Sequence, residues 1–585
     1  MSLFPTSARS ETGVSGARNG TGQGGTRSLA RACCDAGFVV CAALWAWACL
    51  QGIVDLSLGG IMLDSDLGTY AQGMAARAHP ECFVNDVVLR NVTHHNSIWN
   101  VQTTLATWLA PEGGFATGLL RSGAVGIFFY LVFWYGLGRV LYARPSLALL
   151  LVAFQCITCW VGWGTFWGVF MDDPVPRVWY AGLWPLIVLG TLHALPRPKL
   201  RPLVLLFCGL SVWVHSISAL TAGAMTFLAF FLARSPGTSL ARHLGTCLAG
   251  LVCFLVPVFC FLWPTLSDEH VLSSADLATL GALFRLRYAA DYHAPLATLW
   301  TFLHTYILQV PLIPLGLAGL VLVARRGTAR LKHLSGLYGP FVLAMALVVA
   351  FSFAEGFWAR QQGHMPLGHE LVRGARFLIP LCWLAIVAGF ACLVDGRPLL
   401  RRATALAAVV AVLILAPDRQ LLAGLHAVHL SAINVHSARM VDYAERGRLK
   451  ARALAALEAC TRPGDVIFCN EPEPAIRYQA LRGLVYSFKD GANAFYDRDV
   501  ARARQWLHYT ALFRETPTGY VTAWLESGTP WLLTSRMEDR DLLEGLGTLV
   551  YSSDLSDASA SGGWLLVRRN PAQGAGRQAS PGGIP

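Results

Sequence analysis

Charge is scarce in this chain. Only 14% of its 585 residues are Asp, Glu, Lys or Arg, where a soluble globular protein carries about 25%. That scarcity excludes an ordinary water-soluble fold for most of the length. No GxGxxG or P-loop follows a strand-like run, which removes the usual phosphate cradle of nucleotide-binding proteins. There is no repeat of fixed period and no clear inverted repeat of the kind transporters carry. Cys156 and Cys159 form a CxxC without a second pair, which argues against a metal or redox site there. Most of the 15 cysteines, such as Cys41, Cys208, Cys253 and Cys392, fall inside apolar runs, where they serve as small apolar residues.

What the chain has is hydrophobic length. Hydrophobic residues make up 54% of it. Apolar runs of about 20 residues, enough to cross a bilayer, recur between residues 36 and 417. Only closed helices satisfy the backbone of such segments in lipid. The net charge of +11 does not indicate nucleic acid, because much of it lies in short loops between spans, as the positive-inside rule requires.

Loop charge sets the expected topology. Residues 1–30 read as a disordered cytoplasmic tail with Arg9, Arg18 and Arg27. An uncleaved anchor at 36–58 leads to a long outer loop, 59–116. Further spans are expected at 118–138, 146–163, 178–195, 244–264, 299–323, 336–354, 377–394 and 403–417. The apolar stretch 202–233 has basic residues on both flanks (Arg201, Arg234, Arg242), so it should cross twice, turning at Val214-His215-Ser216. One long helix there is the competing reading. The total is about 11 transmembrane helices in a module over 31–417. The odd count places 418–569 outside, on the side of the first loop.

Residues 418–569 read as a small α/β domain. Strand-like runs Val466-Ile467-Phe468, Leu484-Val485-Tyr486, Trp531-Leu532-Leu533 and Trp564-Leu565-Leu566-Val567 alternate with helical stretches. Cys460 and Cys469 would form a disulfide if that region is extracytoplasmic. Residues 570–585 read as a disordered tail.

Candidate chemistry collects on the outer side. Asp64 and Asp66 follow the first span, and Asp66 and Tyr70 would share one helix face. Asp66 serves either as a helix N-cap or as a carboxylate at the water–lipid boundary. In the second role it takes a proton, or binds a divalent ion such as Mg2+ or Mn2+. Asp86 is a second acid. Asp172 and Asp173 could converge on the same cavity or form a solvated turn before Pro174. His215, at the outer turn, is a candidate by its membrane depth. Outer cations are Arg285, Arg287, Arg360, Arg373 and Arg376. They suit a lipid phosphate, or pair with Glu355 and Glu370. Arg477, Arg482 and Lys489 could add to that set as substrate-binding groups of the outer domain. His94 and His95 are weaker metal candidates, and Asn91-Val92-Thr93 fits a glycosylation sequon.

Together these features resemble the GT-C superfamily, integral-membrane glycosyltransferases that use polyprenyl-phosphate-linked sugars. The span pattern covers about 20–417. Asp66-x-x-x-Tyr70-Ala71 resembles the Asp-Glu-x-x-Tyr-Ala of aminoarabinose and related transferases, with Leu67 where those have Glu. His79-Pro80-Glu81-Cys82-Phe83-Val84-Asn85-Asp86, with Arg477, Arg482 and Phe488-Lys489, also looks like a set of uncharacterised bacterial GT-C-like membrane proteins. The resemblance implies a bacterial inner-membrane protein working on the periplasmic side. Asp66, with Asp64 standing in for the absent acid, would be general base or metal ligand. The outer arginines would hold the lipid phosphate, and the C-terminal domain would bind acceptor or close the site. Two rivals stand beside this expectation. One is a transporter or flippase of a lipid-linked saccharide, which would need mid-span ionisable residues. The other is a non-catalytic membrane scaffold with an outer binding domain.

Overall fold

The computed structural model describes residues 21–56, 63, 65–90, 100–110, 114–169, 175–235, 237–266, 272–288, 292, 294–362, 366, 368–415, 438–471, 473–553 and 563–570. Most of these are helical. Five helical segments are long and apolar enough to cross a membrane: Arg31–Ala48, Phe115–Tyr142, Leu240–Trp263, Ala329–Ala359 and His369–Leu393. A sixth is a bent pair, Pro295–Gln309 with Leu312–Arg326, at 64°. These features make the chain a helical, multi-pass membrane protein candidate by length and composition.

The helices are α1 (Thr21–Leu56), α2 (Ser65–Ala78), α3 (Val101–Leu109), α4 (Phe115–Tyr142), α5 (Pro145–Cys156), α6 (Pro176–Ala194), α7 (Arg201–Leu210) and α8 (Ser216–Leu232). They continue with α9 (Leu240–Leu266), α10 (Ser274–Arg287), α11 (Pro295–His304), α12 (Leu312–Arg326), α13 (Ala329–Gln361), α14 (Leu378–Leu393), α15 (Pro398–Leu415) and α16 (Ala438–Cys460). α1 starts inside the segment expected to be a tail. α2 and α3 occupy the loop expected between the first two spans.

Polar contacts and close backbone approach fix the bundle. Asp35 on α1 accepts from Arg139 Nε (2.7 Å) and Tyr135 Oη (2.7 Å) on α4. α12 and α14 meet through glycines: a Cβ on Gly319 would collide with the Ala385 carbonyl, and one on Gly389 would press on Gly319 Cα at 2.5 Å. Small residues of this kind let backbones approach where no hydrophobic force separates helix from lipid.

The apolar run 146–163 is not one helix. α5 ends at Cys156, and the chain turns into a hairpin of β1 (Cys159–Gly162) and β2 (Thr165–Trp167). Trp163 (φ 52°) and Gly164 (φ 61°) form its two-residue turn, the arrangement that matches the natural twist of paired strands. Cys156 and Cys159 are free, buried thiols at this corner. The run 299–323 is also interrupted, by a π turn at Thr305–Gln309 before Pro311. In contrast, 202–233 does break into two helices, with His215 capping the second.

Residues 466–569 hold a five-stranded sheet: β3 (Val466–Cys469), β4 (Gly483–Leu484), β5 (Trp531–Thr534), β6 (Gly547–Ser552) and β7 (Leu565–Arg569), in the order β4-β3-β5-β7-β6. β3 runs parallel to β4 and β5, while β7 is antiparallel to β5 and β6. Alternation along the strands gives two buried faces. Ile467, Cys469, Trp531, Leu533 and Leu566 pack with Ala71, Met74 and Phe83 of the first inter-helix segment. Phe468, Leu532, Leu565 and Val567 pack with Trp506 and Trp524, and with Leu280 and Leu283 of α10. The sheet is thus a wedge between two parts of the helical chain. Cys460 and Cys469 are both free, the first exposed and the second buried.

Candidate functional site

Three basic side chains, Arg177, Lys489 and Arg373, from three segments act on Asp66, and a fourth, Arg376, lies beside two of them. α2 opens at Ser65 and carries Asp66 in its first turn. Asp66 Oδ2 accepts from Arg177 Nη2 at 2.5 Å, and Oδ1 accepts from Lys489 Nζ at 2.9 Å. Arg177 lies in the first turn of α6. Lys489 immediately precedes the helix Asp490–Tyr496. Arg373 and Arg376 come from the 3-10 segment His369–Phe377, and the Arg373 charge is felt at Asp66. The Asp66 side chain is 44% accessible, although protein surrounds it on most sides.

The hairpin turn organises two of these cations. The Gly164 carbonyl accepts from Arg177 Nη1 (2.8 Å), and the Trp163 carbonyl accepts from Arg373 Nε (3.0 Å) and from Tyr292 Oη (3.2 Å). A tryptophan at positive φ is strained, and these three bonds hold the turn in place. Arg177 also stacks over Phe166, at 5.0 Å, and Arg373 over Tyr292, at 5.7 Å. Arg373 pairs with Glu370 at 3.0 Å.

Arg376 lies deeper, at 2% exposure. Its guanidinium donates to Ser218 Oγ and to Thr165 Oγ1. Among the described residues no carboxylate pairs with it. Ser218 Oγ also lies 2.7 Å from His215 Nδ1, and the Ser218 backbone N–H donates to that nitrogen at 3.3 Å. His215 is therefore the N-cap of α8 and is linked to Arg376 through Ser218. Arg177, Arg373, Arg376 and Asp66 all act electrostatically on His215, so the group is one site.

The electrostatics favour anions. Arg177, Arg373, Arg376 and Lys489 face only Asp66 and Glu370 within this group, an excess of two positive charges. Burial alone would raise the Asp66 pKa. The Arg177 and Lys489 charges more than reverse that, and hold it well below the usual carboxylate range. Asp66 is ionised at any physiological pH.

Other residues singled out in the sequence have different surroundings. Arg477 is completely buried. It grips Asp86 Oδ2 through Nε (2.7 Å) and Asp490 through Nη1 and Nη2 (2.9 Å each), and donates to Gln72 Oε1 at 3.0 Å. Asp86 also accepts from the backbone of Val88, Leu89 and Leu484. These two are a strut between α2, the 80–90 segment and the sheet. Arg482 donates to the carbonyls of Glu458, Thr461 and Ala480 and to Thr461 Oγ1, closing the end of α16. Arg287 stacks on Phe488 at 5.3 Å. Arg285 lines a neighbouring cavity. Arg360 lies on α13, with its side chain outside the description. Asp64, Asp172, Asp173, His94, His95 and the sequon at Asn91 lie outside the described residues.

Sequence reading passed over Arg177. It follows Pro174 and Pro176 on the same expected outer side as the other arginines, so the topological argument that picked them out applies to it equally.

A divalent ion is a poor fit to the side chains around Asp66, since each carboxylate oxygen already faces a cation. Among the described residues no three His, Cys, Asp or Glu side chains gather as metal ligands.

No protein-family model matches the chain, and no curated protein sequence does.

Proposed function

We propose that this protein is a membrane glycosyltransferase of the GT-C kind, moving a sugar from a polyprenyl-phosphate donor to a hydroxyl of a lipid, glycan or protein acceptor. One observation carries the reading: Arg376 is buried without a carboxylate partner among the described residues, in a group where Arg177, Arg373 and Lys489 meet only two acids, Asp66 and Glu370. A buried, unpaired charge costs several kcal/mol, and a phosphate bound by this cluster offsets that cost.

In this reading Asp66 is the base. The acceptor hydroxyl gives its proton to Asp66 as its oxygen attacks the anomeric carbon. The bond from that carbon to the phosphate oxygen breaks, and its electron pair leaves with polyprenyl phosphate. The cations neutralise the charge that develops on this leaving group. In the resting site Arg177 and Lys489 make Asp66 a weak base. A donor phosphate that draws these cations to itself frees the carboxylate and raises its basicity, so activation follows donor binding.

Under this proposal the site, the sheet and the first inter-helix segment face the periplasm of a bacterial inner membrane. The N-terminus is cytoplasmic, about 11 helices cross the bilayer, and residues 418–569 form an outer α/β domain. The test is transfer of radiolabelled sugar from polyprenyl-phosphate donors by the full-length protein in nanodiscs. Asp66→Asn should reduce turnover on the order of 100-fold or more while donor binding persists. Unchanged turnover removes Asp66 from the reaction. Donor binding without transfer by the wild type favours a carrier of lipid-linked saccharide.

A further inference from the structure

A second group of cations gathers at the far end of α14. Arg376 lies just before that helix and Asp395 just after it, so about 24 Å of helix separates the two groups.

Three segments meet here. Arg144, the residue before α5, pairs with Asp395 Oδ1 at 2.6 Å. Arg401, on α15, donates through Nε to Ser146 Oγ on α5 at 3.1 Å. The charges of Arg144 and Arg402 both act on Arg401, and Asp395 opposes them. Arg397 lies one turn earlier, where its carbonyl accepts from the Arg401 backbone N–H. Arg144, Arg397, Arg401 and Arg402 thus face Asp395, four cations against one acid, an excess of three. Asp395 is already engaged by Arg144. Among the described residues no carboxylate pairs with Arg397, Arg401 or Arg402. Like charges gathered this way repel, and an anion placed among them relieves the repulsion.

The surface of α15 says what kind of anion. Leu399, Arg402, Leu406 and Val410 recur at helical spacing and share one face. All four are exposed, Leu399 at 79% and Leu406 at 66%. The other side of the helix packs on α5, where Ala405 is buried. A guanidinium therefore stands within an apolar stripe that the protein leaves uncovered. A soluble anion would neutralise the charge and leave the stripe in water. A phospholipid covers both, with its phosphate at the arginines and its chains on the leucines.

Basic residues at span ends follow from topology alone, and α9 shows that simpler case. Arg242 stands in its first turn, above exposed Leu244, Leu248 and Val252. The α15 group differs by drawing Arg144 from another part of the bundle, as a basic pocket between helices does.

We infer that Arg401 and Arg402, with Arg144 and Arg397, hold the phosphate of an anionic phospholipid whose acyl chains lie along Leu406 and Val410. This site is separate from the Asp66 cluster and stands whether or not that cluster transfers sugar.

The experiment is photolabelling of the full-length protein in phosphatidylcholine nanodiscs. The probe is a trace of phosphatidylglycerol carrying a diazirine on one acyl chain. Labelled peptides are mapped by mass spectrometry, and labelling of α15 is divided by that of α9 in the same sample. The α9 signal also reports that the bundle is intact. The phosphatidylglycerol probe should give a ratio of about five or more. A phosphatidylcholine probe should give a ratio near one. Arg401→Gln with Arg402→Gln should bring the first ratio down to the second. Arg402→Gln alone, at an exposed position, should lower it part of the way, and Arg242→Gln should not lower it. Excess glycerol 3-phosphate should not displace the probe. The inference falls if both probes give the same ratio, or if the double variant labels as wild type does. Displacement by glycerol 3-phosphate would overturn the lipid assignment in favour of a free phosphate.

Discussion

Lys489 Nζ lies 2.9 Å from Asp66 Oδ1, joining residues 423 positions apart. One comes from the helix after the first apolar segment, and the other from the sheet-bearing region near the end of the chain. The contact ties α2 to that region and helps set the charge state of the cluster's only described acid besides Glu370.

The first prediction is a titration. The folded pKa of Asp66 lies below its unfolded value of about 3.9. Its ion pairs therefore stabilise the fold fully above about pH 4, and that stability is lost as the pH falls through the folded pKa. Lys489→Met removes one of the two cations and should raise the pKa, so the variant protonates at higher pH. Lys489→Arg should titrate like the wild type. The carboxyl stretch of Asp66 in isotope-edited infrared spectra follows this directly. Superimposable titrations of Lys489→Met and wild type would show that the pair does not govern the acid.

The second prediction concerns Gly68, two residues along α2. A Cβ built there would lie 2.6 Å from Pro474 Cγ, and the proline ring cannot swing aside. Gly68→Ala should push α2 away from the 473–490 segment and stretch the Asp66–Lys489 contact. A destabilisation of about 1–3 kcal/mol is expected for such overpacking, together with reduced transfer. Gly68→Ala with Pro474→Ala should recover both. Thermal unfolding and turnover of the single and double variants measure it, and a single variant with wild-type values would contradict the steric argument.

How far the sequence reveals this site depends on which physical signal each part leaves. The break at His215 is legible because a polar residue interrupts an apolar run with basic flanks on both sides. Four of the five strands of the sheet are legible because β-rich runs stand apart between polar stretches, while β6 (Gly547–Ser552), with glycine, threonine and serine among its six residues, is not. Nor is the hairpin. Cys159, Trp160 and Val161 are as apolar as a helix end, and a short buried strand cannot be told from a buried helix by periodicity. Only the positive φ of Trp163 and Gly164 reveals it. The partners of Arg477 are equally hidden, since Asp86 lies 391 residues away and no local pattern marks a buried ion pair. Asp66 stood out through its spacing to Tyr70, but its two cations come from distant segments.

The third prediction tests the Arg477 strut. Arg477→Met leaves Asp86 and Asp490 buried together without a cation, and should cost about 3–5 kcal/mol. Arg477→Lys keeps the charge but loses the paired bonds and should fall between. Combining Arg477→Met with Asp86→Asn and Asp490→Asn removes the stranded charges and should recover part of the loss. Denaturation midpoints in nanodiscs report the order. A single variant as stable as wild type would mean the strut contributes no net stability.

The last prediction separates stability from function at Arg376. Burying a cation without a carboxylate is unfavourable for the empty protein, and a site that tolerates it does so for what it binds. Arg376→Gln keeps hydrogen bonds to Ser218 and Thr165 while discarding the charge. The empty variant should unfold at the same temperature as wild type or higher, because the desolvation cost is gone. Inorganic phosphate should protect the wild type, by about 2.7 kcal/mol at a hundredfold excess over its Kd, and should protect the variant much less. His215→Ala serves as the contrast. It removes the cap of α8, costing about 1 kcal/mol, but leaves the Arg376 charge, so the phosphate shift should persist on a lower baseline. His215→Asn retains a capping oxygen and should lie near wild type. Thermal unfolding of the three variants with and without phosphate gives all of these values in one series. Equal phosphate protection of Arg376→Gln and wild type would remove Arg376 from the anion site. A lowered empty-state midpoint in that variant would mean its charge is compensated inside the protein, which is the condition under which a phosphate has nothing left to neutralise.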